Sequence, residues 1–504
     1  ALAAAGQLDR AARIADDLLT RPLPPATENR VRCALASVLC ARGRPGDAAG
    51  QAQLVLARPG LPGDLRDQAL TALLQALTGL REPAAGPVAD AILADPGRHD
   101  GPAVAAAMVA RAALAWDRGQ PAEAVALLRD AARPQAGISP DARQVQPLLA
   151  LAAALVDLRQ LGEAEDTLRA ADHPPLHGIP AQAGLGLLRA RIALAAGRPA
   201  DADAGAKAAL AGAEALGADG YAATARCVLS VIELRRGDLA AAAEHLAGRA
   251  AAGPQFADLY ARPETALAQA RVSEARDGAA AALGQLGAGL TARPGLLLGD
   301  PATAAWLTRT ALAAGDTALA SRVARTARAL ADTHPQFPAL AAAAAHSRGL
   351  AAGDPAALAR AAEQHPDPWA RASAAEDLGV GREAQGDRDQ AIARLKDALG
   401  GYGQAGADHD QARIRRRLRQ LGIRRRHWTT SAARPVAGWD SLTDTEQAVA
   451  GLVAEGLNNG QVAARMYIST HTVAHHLRQS FRKLSIASRV ELTRIVIEQA
   501  AGRP

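Results

Sequence analysis

Residues 116–128 read WDRGQPAEAVALL. An Ala- and Leu-rich run stops at Gly119, a short polar step follows, and a second apolar run begins. The same cadence recurs as LAAAGQLDRAARI (2–14), CARGRPGDAAGQA (40–52), LAAGRPADADAGA (194–206), LRRGDLAAAAEHL (234–246), LAAGDTALASRVA (312–324) and REAQGDRDQAIAR (382–394). Its glycines are Gly6, Gly43, Gly79, Gly119, Gly162, Gly197, Gly237, Gly278, Gly315, Gly353 and Gly386, at gaps of 33 to 43 residues. In eight of the eleven cases an Ala lies five residues on: Ala11, Ala48, Ala84, Ala124, Ala202, Ala242, Ala320 and Ala391. Glycine suits a left-handed helix cap, because it has no Cβ to clash there. The small Ala lets the second helix approach the first. One such hairpin cannot bury its apolar face alone, so successive hairpins stack into a solenoid. A non-repetitive bundle of Ala-rich hairpins is the alternative.

Composition agrees with an all-α fold. Hydrophobic residues make up 49% of the 504 and aromatics only 2%, so the core is built from Ala, Leu and Val. Ala and Leu are strong helix formers, and no alternating Val/Ile/Thr runs argue for strands. The recurrence resembles the tetratricopeptide repeat, whose period is about 34 residues. The family's large aromatic positions are mostly absent here. Arrays of this kind bind a peptide, protein or small effector on their concave face. Trp116, Trp306, Trp369, Tyr221 and Tyr260 are candidate groove residues, with ordinary packing as the plainer reading. The ligand of the array, an effector or protein, is not legible.

Charge is unevenly spread. Residues 411–504 hold sixteen Arg and Lys against six acids, leaving −4 for residues 1–410 of a chain at +6. A basic end on a near-neutral body points to a polyanionic partner for that end. Its first part, QARIRRRLRQLGIRRRH (411–427), has eight Arg and no acid, with Ile414, Leu418 and Leu421 at helical spacing. This is a last helix whose cations either close the array or approach DNA phosphates. Residues 428–439, WTTSAARPVAGW, read as a tether. Cys33, Cys40 and Cys227 make neither a disulfide framework nor a zinc site and read as buried thiols of a reducing compartment. No apolar run approaches twenty residues and no signal peptide is present, so a cytoplasmic protein without a membrane partner is expected. The chain opens ALAAAGQL, already in a helical pattern and without Met, which reads as part of a longer protein.

The segment YISTHTVAHHLRQSFRKLSI (467–486) carries three His, two Arg and a Lys, and no acid. Four short helices are expected over 441–500. Thr443 and Glu446 form a capping box for the first, Asn458 or Asn459 caps the second, Ser469 caps the third over 470–484, and Ser488 with Glu491 opens the fourth. At about 100° per residue, Val473, Leu477, Ser480, Phe481 and Leu484 share one side of the third helix. His475, Arg478, Gln479 and Arg482 share the other. Two short helices, the second with one buried stripe and one cationic face, make a helix-turn-helix reader of double-stranded DNA. Base readout falls to His475, Arg478 and Gln479. Backbone contacts fall to Ser469, Thr470, Thr472, His476, Arg482, Lys483 and Arg489. His471 and His475 have metal-ligand spacing, but no HExxH, acid or Cys lies beside them. No cofactor, metal or catalytic residue is expected in this chain.

Residues 442–492 resemble the LuxR-type helix-turn-helix family. Leu442, Thr443, Glu446, Gly456, Asn459, Ser469, Thr472, Val473, His476, Lys483, Leu484, Arg489 and Glu491 match its pattern. The resemblance implies a four-helix DNA-binding domain with the third helix in the major groove. It also implies a homodimer or higher oligomer, often joined through the fourth helix, and action on RNA polymerase, more as activator than repressor. The family's usual Lys after Thr-Val is Ala474 here, so His475, Arg478 and Gln479 carry more of the readout. With the array ahead of it, the chain resembles the C-terminal part of a large ATP-binding regulator of the LuxR family. No GxxxxGK[ST] occurs, so no nucleotide site is assigned and no enzyme activity is expected of this chain. The expected division is an array at 1–427, a linker at 428–439 and the DNA-binding domain at 440–504. The chain is then a bacterial transcriptional regulator, associated with the nucleoid when bound. A helical-repeat interaction scaffold with weak or secondary DNA binding is the competing reading.

Overall fold

The computed structural model describes residues 6–133, 145–172, 179–252, 263–291, 293–423, 439–442, 444–466 and 469–501. The expected tether, apart from Trp439, lies outside these residues, as do Arg424, Arg425, Arg426, Tyr260, Thr443, Tyr467 and Ile468. The chain divides into two compact units, 1–425 and 426–504. No strand occurs among the described residues. None of the described helices is long and apolar enough to cross a membrane.

The first unit runs α1 (Leu8–Leu19), α2 (Pro25–Ala41), α3 (Pro45–Leu56), α4 (Gly63–Leu80), α5 (Ala85–Ala94), α6 (Gly101–Asp117), α7 (Pro121–Ala131), α8 (Val145–Asp157), α9 (Leu161–Ala171), α10 (Ile179–Ala195), α11 (Pro199–Leu216) and α12 (Asp219–Arg236). It continues through α13 (Leu239–Ala252), α14 (Pro263–Asp277), α15 (Ala279–Thr291), α16 (Pro294–Leu298), α17 (Ala302–Ala313), α18 (Thr317–Thr333), α19 (Pro338–Ala352), α20 (Pro355–Gln364), α21 (Pro368–Ala384), α22 (Arg388–Gln404) and α23 (Asp408–Gln420). Successive helices pack on one another, except that α15 packs on α17 past the short α16. The first helices of successive hairpins also touch, as in α2 with α4, α4 with α6, and α8 with α10. This is the stacking of a helical-repeat solenoid. Polar bonds also step one repeat at a time: Arg129 to Glu163 and Arg417 to Glu383 both span 34 residues.

The turns show how the sequence is punctuated. At Gly197 the left-handed residue lets its own N–H reach Leu194 O (3.2 Å) and the next N–H reach Ala193 O (2.8 Å). Pro at the first helical position and Asp caps then restart the chain, as where Asp316 accepts from Leu319 N at 2.8 Å. Nine of the eleven expected glycines have positive φ. The other two do not. Gly79 lies inside α4 and Gly162 inside α9. Their turns are made instead by Arg81 (φ 54) and Arg159 (φ 60). With these two in place the turn residues fall 37 to 41 apart as far as Gly353, and 33 at the last step. The small residue five positions on is then Gly86, which is buried, and Ala164, at 0% exposure.

Small residues hold the layers close. Six of the eight Ala read from the repeat are buried; Ala11 is half-buried and Ala84 exposed. At Gly349 in α19 a Cβ would sit 2.6 Å from Leu358 Cγ of α20, so only glycine fits that crossing. The thiols of Cys33 and Cys40 face α4, donating to Leu65 O and Ala72 O, and burial pushes their pKa up to about 11 and about 12. All three cysteines are unbridged. Trp306 is buried and its indole N–H donates to Glu274 (2.5 Å); Trp369 donates to Asp410 (2.9 Å). Both are packing residues with satisfied polar ends, whereas Trp116 lines a cavity. In α23, Ile414 and Leu418 are fully buried. Arg413 binds Glu376 through two bonds (2.7 and 2.6 Å) and Arg417 binds Glu383 (2.6 Å). The Arg-rich last helix thus uses part of its charge to close the array, while Arg416 and Arg419 stay exposed.

Candidate nucleic-acid interface

The second unit contains α24 (Asp444–Ala454), α25 (Asn459–Met466), α26 (Thr470–Leu484) and α27 (Arg489–Ala501). Val449, Ala450, Val453, Val462, Ala463, Val473, Leu477 and Leu492 form its buried core. Phe481, Leu484, Met466 and Trp439 pack around it. Each helix contributes an apolar stripe at helical spacing, so none is stable in isolation.

Local chemistry sets the helix ends. Gly456, at φ 92, closes α24. Asn458 caps α25 reciprocally: its Oδ1 accepts from Gln461 N (3.0 Å), and its own N–H donates to Gln461 Oε1 (2.9 Å). Ser469 caps α26, accepting from Thr472 N at 3.1 Å, with its hydroxyl 2.8 Å from that of Thr472. Ser485, at φ 56, ends α26 in a left-handed cap. The box at α27 is closed by Glu491 N donating to Ser488 Oγ (3.2 Å) and Ser488 Oγ donating to Glu491 (2.8 Å). That hydroxyl bond, with the Ala487 N–H, holds the Glu491 carboxyl below its ordinary range. The Thr443 half of the box at α24 lies outside the described residues.

Helix α26 has two unlike sides. Val473, Leu477 and Ser480 are buried, and Ser480 returns its hydroxyl to His476 O (3.0 Å). Thr470, His471, His475, Arg478 and Arg482 are exposed. Arg482 donates to the Gln479 side chain, and Arg478 Nε donates to Ala474 O at 3.3 Å. The rings of His475 and His476 meet edge to face, 6.0 Å between centroids. No acid lies on α26. The exposed side therefore offers Arg, His and amide donors at one-turn intervals, the groups that pair with base edges and phosphates.

Two residues of the expected phosphate set also have work inside the domain. Lys483 donates to Glu446 at 2.6 Å, and Glu446 is 5% exposed. Arg489 donates to Asn459 Oδ1 and Leu457 O, both at 2.7 Å, pinning α27 to the approach of α25. Their partners lie 30 to 37 residues away, beyond the reach of helical spacing. Among the described residues no group of three His, Cys, Asp or Glu is placed to hold a metal.

Residues 440–496 match the family model described as bacterial regulatory proteins of the luxR family. An HTH-type transcriptional regulator of Mycobacterium bovis is 47% identical over 70 residues, 14% of this chain and 8% of that protein. A nitrate/nitrite response regulator homologue of Haemophilus influenzae is 48% identical over 60 residues, 12% of this chain and 29% of its own length. A DNA-binding transcriptional activator of Mycobacterium tuberculosis is 34% identical over 70 residues, 14% of this chain and 31% of its own. The matched stretch thus spans under a tenth of the first of these relatives and under a third of the other two. Among solved structures, a Rap protein complexed with competence and sporulation factor aligns over 79% of this chain and 98% of its own, at 14% identity and a TM-score of 0.38. The tetratricopeptide domain of P58(IPK) aligns over 79% and 100%, at 15% identity and a TM-score of 0.20.

Proposed function

Since residues 440–496 form a LuxR-type helix-turn-helix domain, we propose that this chain is a sequence-specific, DNA-binding transcriptional regulator whose helical array receives a signal. The observation that carries the reading is α26, with its apolar stripe buried in a four-helix core and its opposite face exposed and cationic. His475, Arg478 and Gln479 read bases from the major groove. Ser469, Thr470, Thr472, His476, Arg482, Lys483 and Arg489 position the domain on phosphates. Lys483 and Arg489 can do so while keeping their internal bonds, since an ammonium has three donors and a guanidinium five.

The chain acts as a homodimer or higher oligomer on a two-fold symmetric operator. Val490 and Ile497, seven residues apart on one face of α27, are 80% and 60% exposed, a pair of large apolar groups that a second copy would cover. Activation, through RNA polymerase, is favoured by the activator among the matched relatives. The chain corresponds to the C-terminal part of a large ATP-binding regulator and works in the cytoplasm.

Alanine at Arg478 and at Gln479 tests the assignment. Each should weaken operator binding roughly 10- to 100-fold, about 1–3 kcal/mol, and relax the base preference at one position. Replacement of Lys207, in the array, should leave operator affinity unchanged. Unchanged affinity for both α26 variants would refute the readout assigned to this helix.

A further inference from the structure

The two turns that break the glycine rule of the array share a destination. A left-handed backbone is costly for a residue with a Cβ, and such positions gather at functional sites. Nine repeat turns use glycine; the other two use Arg81 and Arg159, and both side chains line one cavity. That cavity opens to solvent at its mouth. Its apolar wall includes Trp116, Leu194, Val228, Val231, Leu267 and Leu296.

Its charges are unevenly paired. Five guanidiniums line it, from Arg81, Arg159, Arg191, Arg235 and Arg271, against the carboxyls of Asp157, Glu264, Asp300 and Asp367. Arg159 binds Asp300 and Asp367, each at 2.9 Å, and Arg271 binds Asp300 at 3.0 Å. Arg191 pairs with Asp157, and Arg81 reaches Glu264 at 3.4 Å as well as Asp117. Arg235 has no such partner among the described residues. Its Nη1 is buried without a hydrogen bond, and its guanidinium lies 4.9 Å over the Trp369 ring. Burial pushes the Asp157 carboxyl up to about 7, so near neutrality the acids supply less than their full charge. Arginine cannot shed its proton, and a buried guanidinium left unpaired is costly.

We propose that this cavity binds a small organic oxyanion, its carboxylate or phosphate head on Arg235 and its apolar body against Val228, Val231 and Leu267. This deepens the sensor half of the function proposed above and rests on it, but its test reads the array and not DNA. The ligand supplies the anionic partner that Arg235 lacks, and it bridges helices of successive repeats, α10, α12 and α14. An occupant held that way stabilises the folded array.

The test uses the whole chain, the Arg235→Leu variant, and four probes: octanoate, phenyl phosphate, acetate and inorganic phosphate. Without a probe, Arg235→Leu should melt no lower than the parent, because it removes an unpaired buried charge. Octanoate or phenyl phosphate at saturation should raise the parent's melting temperature by roughly 2–4 °C and leave Arg235→Leu unmoved. Which of the two acts identifies the head group. Acetate and inorganic phosphate should act far more weakly, lacking the apolar body. A variant that melts well below the parent without a probe would mean that Arg235 already has a structural partner. Equal shifts in both proteins, no shift in either, or inorganic anions as effective as organic ones would each overturn the site. DNA binding by the second unit is unaffected by any of these outcomes.

Discussion

Replacing Arg159 by glycine sets two calculable effects against each other. The backbone at this turn has φ 60, where glycine is at ease and arginine is strained, so the change gains about 1 kcal/mol. The side chain is 9% exposed and donates to Asp367 through two bonds (3.2 and 2.9 Å) and to Asp300 through one (2.9 Å). Removing one member of a buried ion pair costs about 3–5 kcal/mol. Part of that is retained. Asp367 keeps the N–H groups of Trp369 and Ala370 (2.9 and 3.1 Å), and Asp300 keeps Arg271 and Ala302 N. The net expectation is a loss of about 2–3 kcal/mol. The same change at Arg81, whose partners Asp117 and Glu264 are 23% and 48% exposed, should cost less, about 0–1 kcal/mol. Urea unfolding followed by tryptophan fluorescence reads the array through Trp116, Trp306 and Trp369. An Arg159→Gly chain as stable as the parent would refute the assignment of its side chain as a tie between distant repeats.

Further outcomes follow from the same geometry. His346 and His365 are buried side by side, with His346 Nε2 2.8 Å from Asp377, and burial holds both histidines below their ordinary pKa. The unfolded chain then binds more protons below pH about 6.5, so the array should lose stability as pH falls through that value, and His365→Leu should flatten the slope between pH 7 and 5. Lys483→Met, which strips the ammonium from buried Glu446, should lower the stability of residues 440–504 by about 1–3 kcal/mol, read as a lower melting temperature of the second unit. Charge at the exposed face of α27, as in Ile497→Lys, should shift the chain toward monomer in sedimentation and weaken operator binding without altering the circular dichroism.

Periodicity made most of this legible. The cadence around Gly119 and its relatives located nine left-handed turns, because only a residue without a Cβ adopts that backbone freely. The same permissiveness misled at Gly79 and Gly162, which a helix also tolerates. Nothing local marks Arg81 and Arg159 as turns; only their register, 38 and 40 residues after one turn residue and 38 before the next, would have found them. On α26 the wheel placed Val473 and Leu477 inside and His475 and Arg478 outside, since burial on a helix follows its period. It could not show that Lys483 faces Glu446, or that five arginines from separate repeats converge on one cavity. Those are contacts between residues 29 to 208 positions apart, and no spacing rule reaches them.

Selection from a random duplex library by this chain, repeated across a salt series, tests the central claim most directly. The expected result is a two-fold symmetric sequence enriched over background, with a steep loss of affinity as salt rises and no enrichment by Arg478→Ala. Binding that weakens with salt while enriching no sequence, or enrichment that survives Arg478→Ala unchanged, would contradict a reader built on α26.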